Sequence, residues 1–482
     1  MDAYSSDRSD PRPGNAPELA HSALSPMRLF ATSVACIGPA IGVFFVFGSI
    51  AAAAGVAASL AFIIAGIGFL FHVNTSAQYS RAIPSAGSYA AFLGNTFGQR
   101  VGASVGMVYA VALLTLYAAA FGILGDWTAV SVQAWFGVAI PWWVFVIVLV
   151  AAVAFVCVRG VVISTGVAAA FFLFESTLVL AASILMLVHN HAFITSDPFD
   201  PRFLTHGALG LGLAFPLCVF ALIGASASLP LAEEAARPRR SLPLALYAAA
   251  TIAIAIFVVA LWATSVAYHD NVSALIKPSF PFISAASPLF GPAWPLLYLA
   301  GLTSALAVNV TGINQSSRVL FSIARTGALP RWMADVHPSW HTPWKSALFM
   351  ASVSAAVTLI IGAWQGIINE FSYVSTLGTA IYVVLLIAAN IGLPVFYYQQ
   401  RRGQARIGLH IVMPILGVIV LAYPLWLTVT PAQLFPYNFF GLVALVLLLL
   451  CAGYGWFGLP GRTGRQHHIA DEPGGATETS AA

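Results

Sequence analysis

Charge is what this chain lacks. Only 7% of its 482 residues are Asp, Glu, Lys or Arg, against roughly 25% in soluble domains. With 60% hydrophobic residues, the deficit argues against a string of soluble domains, of which this length alone would suggest about three. Cysteine is also scarce. Cys36, Cys157, Cys218 and Cys451 all lie in apolar runs. No pair has metal-ligand spacing, and none sits where a loop disulfide would form. They read as small packing residues. The sequence has no Gly-rich phosphate loop ending in Lys-Ser/Thr, no His-Glu-x-x-His and no Gly-x-Ser-x-Gly, so nothing points to a cofactor, a metal or hydrolytic chemistry. A polytopic membrane enzyme would need a convergent nucleophile, base or metal set, and only the isolated His72 and Glu175 offer themselves.

Long apolar runs take the place of charge. A helix crossing a bilayer needs about 20 apolar residues, and twelve such spans begin near Leu29, Ala57, Gly102, Pro141, Gly166, Leu209, Pro243, Pro292, Ser346, Phe371, His410 and Pro436. The expected fold is an all-α membrane domain over residues 29–459, in contact with membrane lipid, flanked by disordered tails at 1–28 and 460–482. The net charge of +4 does not indicate nucleic-acid binding, because its distribution follows topology. With the N-terminus in the cytoplasm, Arg202 and Lys277 are the two of the 20 basic residues that fall on the outer side. The positive-inside rule then puts both termini in the cytoplasm and supports an even number of spans. A plasma-membrane, multi-pass protein is expected.

Two spans are interrupted, and they lie five apart. Span 1 reads Ile37-Gly38-Pro39-Ala40-Ile41-Gly42-Val43-Phe44-Phe45, and span 6 reads Phe220-Ala221-Leu222-Ile223-Gly224-Ala225-Ser226-Ala227-Ser228-Leu229-Pro230. Proline removes a backbone donor and glycine weakens a helix. In lipid, backbone groups freed this way must face protein or a water-filled cavity. Matched breaks in the two halves of a polytopic chain point to a transporter's binding site.

Glu175 is the acid that stands mid-span, in span 5. A charge at bilayer centre costs about 2.5–3.5 kcal/mol on insertion scales and usually faces the bundle interior. A carboxyl there can exchange a proton or serve as a neutral hydrogen-bonding group. His72 suits a proton relay or a satisfied position near a helix end. Polar residues gather in span 3 (Tyr109, Thr115, Tyr117), span 8 (Thr303, Ser304, Asn309) and span 10 (Ser372, Ser375, Thr376, Thr379). Each set can line a path or bond to helix carbonyls.

Several further motifs resemble those of the amino acid/polyamine/organocation permeases. They are Ala232-Glu233-Glu234-Ala235-Ala236-Arg237-Pro238-Arg239-Arg240-Ser241-Leu242-Pro243 after span 6, Pro84-Ser85-Ala86-Gly87-Ser88-Tyr89 after span 2, Asn309 with Ser317-Arg318-Val319-Leu320-Phe321 in span 8, Ala324-Arg325-Thr326-Gly327-Ala328-Leu329-Pro330 after it, and then Val336-His337-Pro338 and Thr342-Pro343-Trp344. They run in family order over about residues 30–400.

The resemblance implies a five-plus-five inverted repeat, LeuT-like, with discontinuous helices 1 and 6 and two further C-terminal helices. In relatives, amides at the span 1 break hold a substrate carboxylate and carbonyls at the span 6 break hold its amino group. Carried over, the substrate set is Ile41, Gly42, Val43 and Phe44, then Phe220, Ile223, Gly224, Ala225 and Ser226, with Tyr117 and Ser375 from the polar spans. The coupling set is Glu175, Thr303 and Ser304. Phe44 replaces a family glycine, Ser226 and Gln78 stand where some relatives carry acids, and Glu175 falls where many carry a lysine. The expected activity is import of a small neutral amino acid or related organic solute by proton symport, with sodium coupling kept open. The alternatives are amine or polyamine transport, exchange, and a channel.

Overall fold

The computed structural model describes residues 24–457. Twelve helices in it are long and apolar enough to cross a membrane: Pro26–Ala54, Ala58–Ala82, Gln99–Phe136, Trp142–Arg159, Ala170–His189, Gly207–Glu234, Pro238–Ala267, Pro295–Arg325, Trp344–Gln365, Ile367–Gln400, Gly408–Val429 and Tyr437–Phe457. In chain order they are spans 1 to 12. The helix of span 5 starts earlier, at Val161. Extended pairing among the described residues is limited to two isolated bridges, Leu24 with Ala235 and Gly55 with Leu204. The expected tails lie mostly outside the described residues. The first helix nevertheless begins at Pro26, where Ser25 Oγ accepts the Arg28 N–H at 3.4 Å, as an N-cap serine ahead of a first-position proline should.

Spans 1, 3 and 6 form the interior, while spans 4 and 12 turn most of their surface outward. This division follows composition. Span 12 is mostly Leu, Val, Phe and Gly with no charged side chain in its helix Phe440–Phe457, which suits lipid contact, whereas span 8 carries Asn309, Asn314, Gln315 and Arg318, all buried.

The motifs scattered through the sequence converge at the arginine-rich end of the bundle. Glu233, after span 6, accepts the Ala86 N–H from the segment after span 2 (3.0 Å) and the Arg325 guanidinium from span 8 (2.7 Å). Glu234 pairs with Arg318, and both are buried. Arg318 also donates to the Asn314 carbonyl at 2.9 Å. Farther on, Thr342 Oγ1 donates to the Val158 carbonyl at 2.8 Å. The chain just before span 1 joins the same cluster, because Leu24 N–H bonds to Glu234 O and Ala236 N–H to Leu24 O, each at 3.0 Å.

A buried ion pair is fragile to one-sided change, since the remaining charge is left without compensation. Arg318→Met is expected to destabilise the fold by about 3–5 kcal/mol. Adding Glu234→Leu should recover most of that loss. Thermal unfolding in detergent of Arg318→Met, Glu234→Leu and the double variant checks this, and an additive double variant would contradict it.

Candidate functional site

In span 1 the helix Pro26–Ile37 stops at Gly38, whose φ of 59° and ψ of 67° are left-handed, a conformation glycine enters without a Cβ penalty. Pro39 follows and has no N–H to offer. The helix resumes there and continues to Ala54, with a π-type stretch at Gly42–Val46. Gly42 N–H already returns to the Gly38 carbonyl at 2.9 Å. The amides freed by the break are therefore Ala40 and Ile41. Ala40 N–H donates to Glu175 Oε2 at 3.4 Å, and Ile41 N–H donates to Ser304 Oγ at 3.2 Å.

This corrects the expectation that Gly42, Val43 and Phe44 expose their amides. The left-handed turn and the missing proline donor fall upstream, and from Gly42 onward the chain is already helical. The Phe44 ring does not enter the site either. It packs 5.7 Å from Trp127 and 5.2 Å from Phe282, in an aromatic layer completed by Phe280.

Span 6 is helical over Gly207–Leu222 and then tightens into 3₁₀ turns at Ile223–Ser226 and Leu229–Glu234. Its Gly224 lies directly on the span 1 backbone. A Cβ there would stand 2.3 Å from the Cys36 carbonyl carbon and the Ile37 nitrogen. One turn on, Ser228 Oγ meets Ser33 Oγ at 2.9 Å. The two interrupted spans thus touch where each is interrupted.

A cavity of about 40 Å³ lies beside this crossing, well under the ~150 Å³ that accommodates benzene in an engineered protein cavity. An amino-acid-sized solute enters only when its walls move. Of the expected substrate residues, Ile41, Gly42, Tyr117, Phe220, Ile223 and Gly224 line it. Val43, Phe44, Ala225, Ser226 and Ser375 are buried but do not. Ser375 Oγ has no hydrogen-bond partner, and Ser226 sits beside the Tyr89 and Tyr382 hydroxyls without a well-formed bond. Glu175 and Ser304 stand behind the span 1 break, outside the lining, and the Thr303 hydroxyl turns back to the Leu299 and Ala300 carbonyls, each at 3.1 Å. His72 is buried against Tyr89 OH (2.8 Å) and Ser76 Oγ (3.0 Å).

The cavity wall is mostly apolar. Tyr117 OH, which faces Cys36 Sγ at 3.6 Å, donates to Gln315 Oε1 at 2.6 Å. Asn309 donates through Nδ2 to the Ala120 and Ala305 carbonyls, at 3.1 and 2.9 Å, which leaves its Oδ1 buried, without a partner, in a residue that lines the cavity. Among the described residues no group of three His, Cys, Asp or Glu side chains could hold a metal ion.

Sequence reasoning missed three contributors. Ala40 carries no signal in its own identity, since only its amide acts. Gln315 stands out as an amide in a long apolar helix. Glu370 lies one residue ahead of the expected start of span 10, which makes it a loop residue on sequence alone. The helix in fact begins at Ile367 and buries it completely.

The Gly224 contact is directly testable. Gly224→Ala is expected to force the two spans apart, at about 1–3 kcal/mol for overpacking, with a matching drop in detergent unfolding temperature. Gly403→Ala, where a Cβ meets nothing within 4 Å, should leave it unchanged. Equal unfolding temperatures for the two variants would contradict the crossing.

Residues 32–458 match the amino acid permease family. An uncharacterized transporter of Mycobacterium tuberculosis is 29% identical over 218 residues, 45% of this chain and 46% of the relative, so the chain spans about half the length of that relative. The methylthioribose transporter of Bacillus subtilis is 24% identical over 433 residues, 82% of this chain and 89% of the relative. The branched-chain amino acid permease BcaP of Bacillus subtilis is 24% identical over 395 residues, 73% and 76% of the two chains.

Proposed function

Because the chain belongs to the amino acid permease family, we propose that it imports a small neutral amino acid or related organic solute across the plasma membrane. Both termini are cytoplasmic in this reading, the ten first helices form an inverted repeat, and transport proceeds by alternating access with proton symport. The observation that carries it is the Glu175 carboxyl seated on the Ala40 N–H, at the break beside the cavity.

Helix N-termini attract anions, and here a side chain of the protein occupies that position. A substrate carboxylate needs the same amide. When Glu175 takes a proton from outside it becomes a weaker acceptor and releases the amide. Substrate then bridges the two breaks, with its amino group toward the span 6 carbonyls and Asn309 Oδ1. The bundle rocks, both leave inward, and Glu175 returns to Ala40. The apolar wall suits an uncharged substrate body, in keeping with relatives named for a branched-chain amino acid and for methylthioribose. Sodium coupling has less support, because Ser304 is engaged by Ile41 and Thr303 by its own helix.

One observation favours amines as the substrate instead. Pro39 lacks an N–H, and the Ala40, Ile41 and Gly42 amides all have acceptors within the protein, so a substrate without a carboxylate meets no competition. Competition of uptake by neutral amino acids against the corresponding amines separates the two readings.

In proteoliposomes, Glu175→Gln is expected to abolish the pH dependence of net uptake while preserving counterflow exchange. Wild-type pH dependence in that variant would overturn the coupling role.

A further inference from the structure

We propose that Glu370 is a second proton-binding carboxyl, one that ties closure of the arginine-poor end of the bundle to proton uptake there. Glu370 lies in the first turn of span 10 and is fully buried, and neither carboxyl oxygen has a hydrogen-bond partner. The side chain makes no cap hydrogen bond to its own helix, so the helix dipole acts on it only through space. It lies in a notch that span 3 provides at Gly122, where an added Cβ would come within 2.4 Å of Oε2.

The neighbouring residue links this notch to the cavity. The Phe371 ring packs 5.6 Å from Phe220, which lines the cavity, and 5.1 Å from Phe45 in span 1. Separation of span 10 from span 3 would therefore move the cavity's aromatic cover and expose Glu370 together.

Glu370 is in none of the described ion pairs, and the nearest basic side chain on this side, Lys277 in the segment that brings Phe280 onto Phe45, is exposed. The ionisable groups on the elements packed beside this end of span 10 are Asp126 on span 3, one turn past Gly122, Tyr373 on span 10 itself, and Tyr437 at the start of span 12, whose ring meets Tyr373 at 5.6 Å. His206, at the head of span 6, is exposed. The adjoining end of span 9 carries no ionisable side chain, and on span 11 Tyr423 is exposed. An ionised carboxylate in such a place, unpaired and without hydrogen bonds, is strongly disfavoured.

The closed arrangement therefore holds Glu370 as the neutral acid. Opening admits water, and the carboxylate can form by releasing its proton to that water. Closing reverses the step. By linkage, protons on this side favour the closed arrangement, and raising the pH favours opening. This group differs from Glu175 in that it is reached from one side and gates that side without carrying the proton across.

Hydrogen–deuterium exchange of the segment 366–375 tests the proposal in the full-length protein in nanodiscs, with no substrate needed. After correction for intrinsic exchange, wild-type protection should fall as pH rises, by up to about tenfold per pH unit, the slope that one proton gives. Glu370→Gln should stay protected across the range, while Glu175→Gln should respond as wild type does. A Glu370→Gln variant that follows the wild-type pH response, or a wild type with no response, overturns the proposal. As a measurement that requires no variant, labelling of wild-type protein with a hydrophobic carbodiimide, read by peptide mass spectrometry, should modify Glu370 increasingly as pH falls. Modification that is absent or independent of pH would also overturn it.

Discussion

The constraint on which this structure depends is the need to satisfy backbone groups away from water. A helix interrupted inside a bilayer leaves donors and acceptors that lipid cannot partner. Here span 1 meets that requirement with side chains from two other spans, Glu175 from span 5 and Ser304 from span 8. Span 6 shortens its hydrogen-bond period instead, passing from α to 3₁₀ geometry so that its carbonyls find partners three residues on. The contact of Gly224 with Cys36 and Ile37 brings the two solutions together, and the cavity lies in the space they leave.

At the arginine-rich end a different principle operates. Three distant segments are drawn together by two neighbouring glutamates, one buried with Arg318 and one near the surface with Arg325 and the Ala86 amide. Exposed pairs contribute little to stability, so Glu233 acts mainly in fixing the register of loops, whereas the Glu234 pair is costly to break. The motifs that stand apart in the sequence are parts of one cluster in the structure.

Hydropathy makes the spans legible, because a run of about twenty apolar residues has few alternatives to crossing a bilayer. The start of each helix falls within five residues of its expected position. The breaks are legible as regions, since Gly and Pro mark them, but the position of the break in span 1 is not. Gly38 and Gly42 look alike in sequence, and a left-handed φ at one of them decides which amides are free. A glycine expected at position 44 directs attention to Phe44 as a site residue, yet its direction depends on Trp127 and Phe282, which are remote in sequence. Glu370 is obscured by a boundary misplaced by a few residues, enough to change a buried acid into a loop acid.

The pairing of Leu24 with Ala235 has a mechanical consequence. It fastens the start of span 1 to the segment just beyond the span 6 break, and Ser33 with Ser228 adds a second fastening nearer the crossing. The leading half of one interrupted helix and the trailing half of the other are thereby riveted side by side at two levels, so neither half can shift along the other without breaking both fastenings.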